Sequence, residues 1–306
     1  MRVLIALDAS PTCGDVVSAV AARPWPPNTT FLLLHVLDPF PFSKAPLSLS
    51  RARQHAAAQL KEAGRKLCAG GWAMKEEVVF GRARHELPKL AESWKADLIV
   101  VGSSGVGDLT RFLVGSTARA VLRHAHCSVE VVRPRHDKSG TLPGDTKILV
   151  ATDGSECSVA ALKSVANRPW PAGTHFRVMS IPEPFMPLGQ FPYFELKEVE
   201  KLNTEALKDA KRYADAGVKT LRDSGLEADP ATPLPRDSDA REIVHEAEHW
   251  HAHLVVLGSH GRHGFDRLTL GSVSEHVALH APCSVEVIRQ SQPPKQKSKP
   301  SRRKRS

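Results

Sequence analysis

The sequence predicts an α/β protein built from two tandem doubly wound domains, each on a parallel sheet of five strands. Three observations lead there. The chain is an internal duplication, each copy alternates strand-like and helix-like segments, and the same glycine-rich loop follows the fourth strand of both. Val3-Leu-Ile-Ala-Leu-Asp8-Ala-Ser10 returns as Ile148-Leu-Val-Ala-Thr-Asp153-Gly-Ser155, and Arg23-Pro-Trp25-Pro26 as Arg168-Pro-Trp170-Pro171, both at an offset of 145. Trp94…Asp97-Leu-Ile-Val-Val-Gly102 matches Trp250…His253-Leu-Val-Val-Leu-Gly258, and Cys127-Ser-Val-Glu-Val-Val-Arg133 matches Cys283-Ser-Val-Glu-Val-Ile-Arg289, both at 156. The second copy therefore holds about 11 extra residues between its second strand and its third helix.

In the first copy Val3–Leu7 is a continuous apolar run suited to a strand covered on both faces. Cys13–Ala22 follows as a helix and Phe31–Val36 as a second buried strand. Pro39, Pro41 and Pro46 then mark a loop. Ser50–Ala69 has the Ala, Gln, Leu, Lys and Glu content of a helix, and Glu76–Phe80 reads as the third strand. The next helix spans Arg84–Trp94, where Pro88 is compatible with the first turn. Leu98–Val101, Gly115–His124 and Val129–Val132 complete the copy as strand, helix and strand.

The 306 residues suit two domains, at residues 1–135 and 146–289. Polar, Gly- and Pro-rich residues 136–145 read as a linker, and residues 290–306 as a basic tail unable to bury a core. The formal charge of +9 shrinks to +2 once the seven Lys/Arg of that tail are set aside, so the body carries no nucleic-acid footprint. No apolar run approaches the roughly 20 residues of a membrane helix. The five-residue apolar run at the start is too short for a secretory leader, and five cysteines without a Cys-x-x-Cys pair fit reduced thiols. A cytoplasmic protein is the expectation.

The densest signal follows the fourth strand. Gly102-Ser-Ser-Gly105 precedes Gly115-Ser116 by nine residues, and Gly258-Ser-His-Gly261 precedes Gly271-Ser272 by nine. This G-x2-G-x9-G-S spacing is neither a Walker A loop nor a G-x-G-x-x-G fingerprint. Glycines after a strand still let backbone approach a ligand, and a helix starting at Gly-Ser aims its N–H groups and positive dipole end there, which suits phosphate. The serine hydroxyl can cap the helix or bond a phosphate oxygen. Asp8 and Asp153 end the first strand of each copy, where a carboxylate can accept from ribose hydroxyls or hold the following turn.

This constellation resembles the universal stress protein family, with two UspA-type domains in tandem over residues 1–133 and 146–289. Asp153-Gly-Ser-Glu, Leu254-Val-Val-Leu-Gly-Ser-His-Gly261…Leu270-Gly-Ser-Val-Ser-Glu-His-Val and Ala281-Pro-Cys-Ser-Val-Glu-Val carry the likeness. The resemblance implies a Rossmann-like sheet of order 3-2-1-4-5, a binding crevice where strands 1 and 4 diverge, and ATP as ligand, with Mg²⁺ as its companion. It nominates Asp8, Val36, Gly102, Gly105, Gly115 and Ser116 in the first copy. In the second it nominates Asp153, Ile181, Gly258, Gly261, Gly271 and Ser272, with Val36 and Ile181 at the adenine edge. It also implies pairing of the two copies through their final strands, Val129–Val132 and Val285–Ile288, and leaves room for a further homodimer.

The two loops differ. The second has Gly154 after its aspartate and Arg262-His263-Gly264 after Gly261, where the first has Ala9 and Val106-Gly107-Asp108. Asp108 would repel a triphosphate, so the second site ranks above the first. Arg111 and Arg267 stand at equal places and can meet phosphate or solvent. The absence of a nucleophile–base pair points to slow turnover at most. A nucleotide-responsive stress regulator is thus the leading reading, and a non-nucleotide interaction module of the same fold the alternative. His245-Glu-Ala-Glu-His249 matches a zinc-protease pattern, but Ile243, Ala247 and Trp250 share the opposite face of that helix, so the histidines are expected in solvent. Cys127 and Cys283 suit small buried positions, and Trp25 and Trp170 suit packing.

Overall fold

The computed structural model describes residues 1–10, 12–42, 46–68, 70–103, 114–134, 145–185, 195–262 and 270–290. The first copy contributes strands β1 (Arg2–Ala6), β2 (Thr30–Leu37), β3 (Ala73–Phe80), β4 (Leu98–Gly102) and β5 (Ser128–Val132). Its helices are α1 (Cys13–Ala21), α2 (Pro46–Cys68), α3 (Ala83–Trp94) and α4 (Ser116–His124). The second contributes β6 (Lys147–Ala151), β7 (His175–Met179), β8 (Glu227–Ala231), β9 (Leu254–Gly258) and β10 (Ser284–Ile288), with α5 (Glu156–Ala166), α6 (Leu196–Arg222), α7 (Asp239–His249) and α8 (Ser272–His280).

All ten strands form one sheet, in the order β3-β2-β1-β4-β5-β10-β9-β6-β7-β8. Each half runs 3-2-1-4-5 in its own numbering, with every pairing inside a half parallel. The halves join where β5 and β10 pair antiparallel, with Val131 opposite Val285, Glu130 opposite Glu286 and Val129 opposite Val287. The final strands thus meet as the resemblance implied.

Alternation along these two strands explains how the seam is filled. Val129, Val131, Val285 and Val287 point into one core that runs under α3, α4, α7 and α8 of both halves. The opposite face holds two separate cores, one per half. Between them lie Glu130 and Glu286, with Arg23 paired to the first and Arg168 to the second. Arg23 lies 4.5 Å from the Trp25 ring and Arg168 5.2 Å from that of Trp170. Burial works against the charge on Arg23, but Glu130 and Glu286 outweigh it and push its pKa above the usual guanidinium value.

Local differences from the expectations have local causes. Pro46, expected in a loop, opens α2, since its fixed φ suits the first helical position. Pro88 sits in the second turn of α3, not the first; it forfeits only the bond to the Arg84 carbonyl and is buried beside Leu87 and Ala91. Strand β3 begins at Ala73, three residues early, because it pairs along all of β2 from Thr30↔Ala73 to Leu37↔Phe80. In the second half Pro230 lies in β8, which is tolerated at a sheet edge. The equivalent registers Thr30↔Ala73 and His175↔Glu227 place most of the extra residues before the third strand, in a longer loop and a longer α6. No helix among the described residues is long and apolar enough to cross a membrane.

Candidate functional site

Strands β1 and β4 lie side by side with Val3↔Leu98 and Ile5↔Val100, and β6 and β9 with Ile148↔Leu254 and Val150↔Val256. Their connections leave on opposite faces, so a crevice opens beyond the strand ends in each half. The first cavity, about 270 Å³, is lined by Asp8, Val36, Gly102, Gly115 and Ser116 together with Cys13, Ala83 and Leu87. The second, about 550 Å³, is lined by Asp153, Ile181, Gly258, Gly261, Gly271 and Ser272 together with Met179, Glu183, Asp239, Ile243 and Arg262. Eleven of the nominated residues therefore border the two crevices. The twelfth, Gly105, lies outside the described residues, as do Asp108, Arg111, His263, Gly264 and Arg267.

Both strand-end carboxylates hold the turn that follows. Asp8 Oδ1 accepts from the Ser10 backbone N–H at 3.0 Å, and Asp153 Oδ1 from that of Ser155 at 3.0 Å. Ser155 in turn caps α5, its hydroxyl accepting from Ser158 N–H. Asp153 Oδ2 also accepts from the Arg262 N–H at 3.0 Å and so ties the glycine loop to the first strand of its half. Burial would raise the Asp153 pKa, but the bonds from Ser155, Ser158 and Arg262 outweigh it and hold the carboxyl below the ordinary aspartate value.

The glycines are required by close backbone approach. A Cβ on Gly258 would lie 2.7 Å from the Cys157 carbonyl carbon and 2.8 Å from Ser158 N, where the loop passes the start of α5. A Cβ on Gly261 would lie 2.8 Å from Asp153 Oδ2. At Gly271 it would meet the Ser259 carbonyl oxygen at 3.0 Å, so this glycine serves the packing of the loop against itself. That packing is fixed by Gly271 N–H donating to Ser259 O at 2.8 Å, and by Gly115 N–H donating to Ser103 O at 2.7 Å in the first half. Ser103 and Ser259, both buried, were not singled out from sequence, although a Gly-Ser pair follows the fourth strand of both copies.

The helix starts correct one expectation. Gly115 and Gly271 occupy the cap positions of α4 and α8, and among the described residues no side chain caps either helix. Ser116 and Ser272 are the first helical residues, exposed toward the crevice mouth, so their hydroxyls do not serve as caps. Two helix N-termini without side-chain caps thus face the two crevices.

Outside the crevices, His245 and His249 stack at 6.2 Å and are exposed, with Ile243 and Ala247 buried on the other side of α7. Cys127 and Cys283 sit against the shared core, and burial pushes both thiols up to about 12, partly offset by Arg289 and Arg133 respectively. None of the five cysteines is bonded to another. The sequence reading missed Glu183 and Asp239 altogether: Asp239 has Ala83 as its counterpart, and Glu183, matched by Asp38, lies just after the second strand outside any motif.

Comparison with known proteins matches residues 1–133 and 146–289 to the model of the universal stress protein family. A universal stress protein of Mycolicibacterium smegmatis is 27% identical over 304 residues, covering 94% of this chain and 96% of its own. One of Mycobacterium tuberculosis is 30% identical over 226 residues, covering 72% of this chain and 70% of its own. Among solved structures, a universal stress protein of Archaeoglobus fulgidus superposes with a TM-score of 0.62 at 18% identity, covering 94% of this chain and 96% of that one.

Proposed function

Because the chain belongs to the universal stress protein family, we propose that it is an ATP-binding regulator of a stress response, acting in the cytoplasm. One observation carries the nucleotide reading. In both halves a strand-end aspartate, the glycine exit of the fourth strand and a helix N-terminus without a side-chain cap border the same crevice. Backbone N–H groups and a helix dipole are the donor set that a phosphate needs. Apolar side chains such as Val36 and Leu87 in the first crevice, and Met179, Ile181 and Ile243 in the second, offer surface to a base. Among the described residues no cluster of three His, Cys, Asp or Glu forms a metal cage. A magnesium ion would therefore arrive on the phosphates, as that ion commonly does. Free cysteines support the cytoplasmic placement.

The second crevice is the tighter site on this reading, since it is the larger and its loop has Gly264 where the first carries Asp108. Calorimetry with ATP on the full chain tests the proposal through Ser272→Asp and Ser116→Asp. Aspartate is welcome in a helix's first turn, so both variants fold, yet its charge stands where phosphate would sit. Ser272→Asp is expected to weaken the tighter phase at least tenfold and Ser116→Asp the weaker phase only. A wild-type chain that takes up no adenine nucleotide would overturn the proposal in favour of an interaction module.

A further inference from the structure

Among the described residues the two crevices differ at the end away from the phosphate-facing helix. Asp239, the first residue of α7, borders the second crevice, and Ala83 stands at the equivalent place in the first. Glu183 borders it too. Its counterpart Asp38 does not line the first crevice and instead accepts from the Phe40 N–H at 2.9 Å. Glu183 is held by Arg262 at 2.9 Å, and Arg262 is tied through its backbone to Asp153. Asp239 is left open: among the described residues its carboxyl has only its own backbone N–H for a partner. The cavity wall, and then Glu183, push that carboxyl above the usual aspartate value, against the pull of Arg262.

Topology separates this acidic rim from the anion-seeking end. Helix α7 starts from the β8 side of the crevice, and α8 starts from β9 on the side of β10. A ligand spanning the cavity must therefore be polar along its length, with its anionic end at α8 and a hydrogen-bond donor at the rim. A phosphate in the reverse orientation would meet Glu183 and Asp239. An ionised carboxylate accepts only, so it rewards a donor; with the strand-end Asp153 placed to take ribose hydroxyls, the donor left for the rim is an N–H group of the base. On the nucleotide reading above, on which this step rests, we infer that Asp239 is a specificity residue of the second crevice. It accepts from the exocyclic 6-amino group of adenine, and so makes that crevice selective for the amino-bearing base in a way the first is not.

The experiment compares ATP with purine riboside triphosphate, which lacks only the 6-amino group. Calorimetry is run on the full chain carrying Ser116→Asp, with and without Asp239→Ala. With Asp239 in place ATP is expected to bind about tenfold tighter than the analogue, the worth of one bond to a charged acceptor at a wet rim. Asp239→Ala should bring ATP to the analogue's affinity and leave the analogue unchanged. A role confined to capping or stabilising α7 would weaken both ligands equally and keep their ratio. An unchanged ratio in Asp239→Ala overturns the assignment while nucleotide binding stands. A chain that binds neither compound even with Asp239 in place overturns the nucleotide reading, and this inference with it.

Discussion

Asp153 shows how much one side chain can organise. Its two oxygens accept from Ser155 and Arg262, so a single carboxylate locks the turn into α5 and anchors the first residue after Gly261. Since its pKa lies below the ordinary aspartate value, its contribution to stability is complete above that value. It is lost as the pH falls through the lower, native value. Asp153→Asn keeps an acceptor for Ser155 but not the charge. Its stability deficit against the parent chain, read by denaturant titration, is expected to be constant from neutral pH to about pH 5 and to shrink below about pH 4. A deficit independent of pH would show that the charge is immaterial. Asp8 holds Ser10 in the same way. Its likeness to Asp153 was legible because the strand–Asp–turn pattern is local and repeated. The reach to Arg262 spans 109 positions and was not.

At the level of elements, the short motif Cys-Ser-Val-Glu-Val-[Val/Ile]-Arg is a joining device. Ser128 Oγ accepts from Arg289 N–H and Ser284 Oγ from Arg133 N–H, both at 3.2 Å. Arg289 Nη2 then donates to the Leu122 carbonyl at 2.7 Å, at the end of α4, and Arg133 Nη2 to the Leu279 carbonyl at 2.8 Å, at the end of α8. Each half thus caps the crevice helix of the other with a cation at its negative end. Arg123 and Glu275 add a direct bridge between the two helices at 2.6 Å. Removing one such cap costs about 1–2 kcal/mol. Arg289→Ala should lower hydrogen-exchange protection in α4, which belongs to the other half, and leave α8 protected. Arg133→Ala should do the reverse. Loss confined to the half that carries the mutation would contradict the crossed arrangement. The sequence displayed this motif twice but could not show that its residues serve the neighbouring copy, since no local rule encodes a partner about 150 positions away.

Over the whole molecule, pairing of β5 with β10 converts two open sheets into one, whose edges among the described residues are β3 and β8. Two buried arginines balance the two facing glutamates at the seam, and breaking such a set is costly: Glu286→Ala, which strands Arg168, should destabilise the chain by about 3–5 kcal/mol. Beyond Arg289, Gln290 Nε2 makes an exposed bond to the Glu156 carbonyl of its own half at 3.1 Å. Truncation after Gln290 is expected to leave the thermal midpoint unchanged, because residues 291–306 cannot supply apolar burial. Truncation after Ile288 removes Arg289 as well and should lower the midpoint by a few degrees. Equal midpoints for the two truncations would deny Arg289 its role.

The amino-acid order by itself determined the duplication, the strand and helix alternation, the glycine spacing and the two aspartates. Each depends on interactions within a few residues or on a pattern written twice. Backbone geometry at a glycine and the periodicity of apolar residues act at that range. Only the tertiary structure decided that the motif after Cys127 and Cys283 works across the seam, that Glu130 and Glu286 face one another, and that Asp239 stands on the rim of one crevice alone. Those facts follow from which strands become neighbours, and neighbourhood in a sheet is settled by burial over the whole chain. A lone aspartate at a helix start carries the same local signal whether it faces solvent or a cavity.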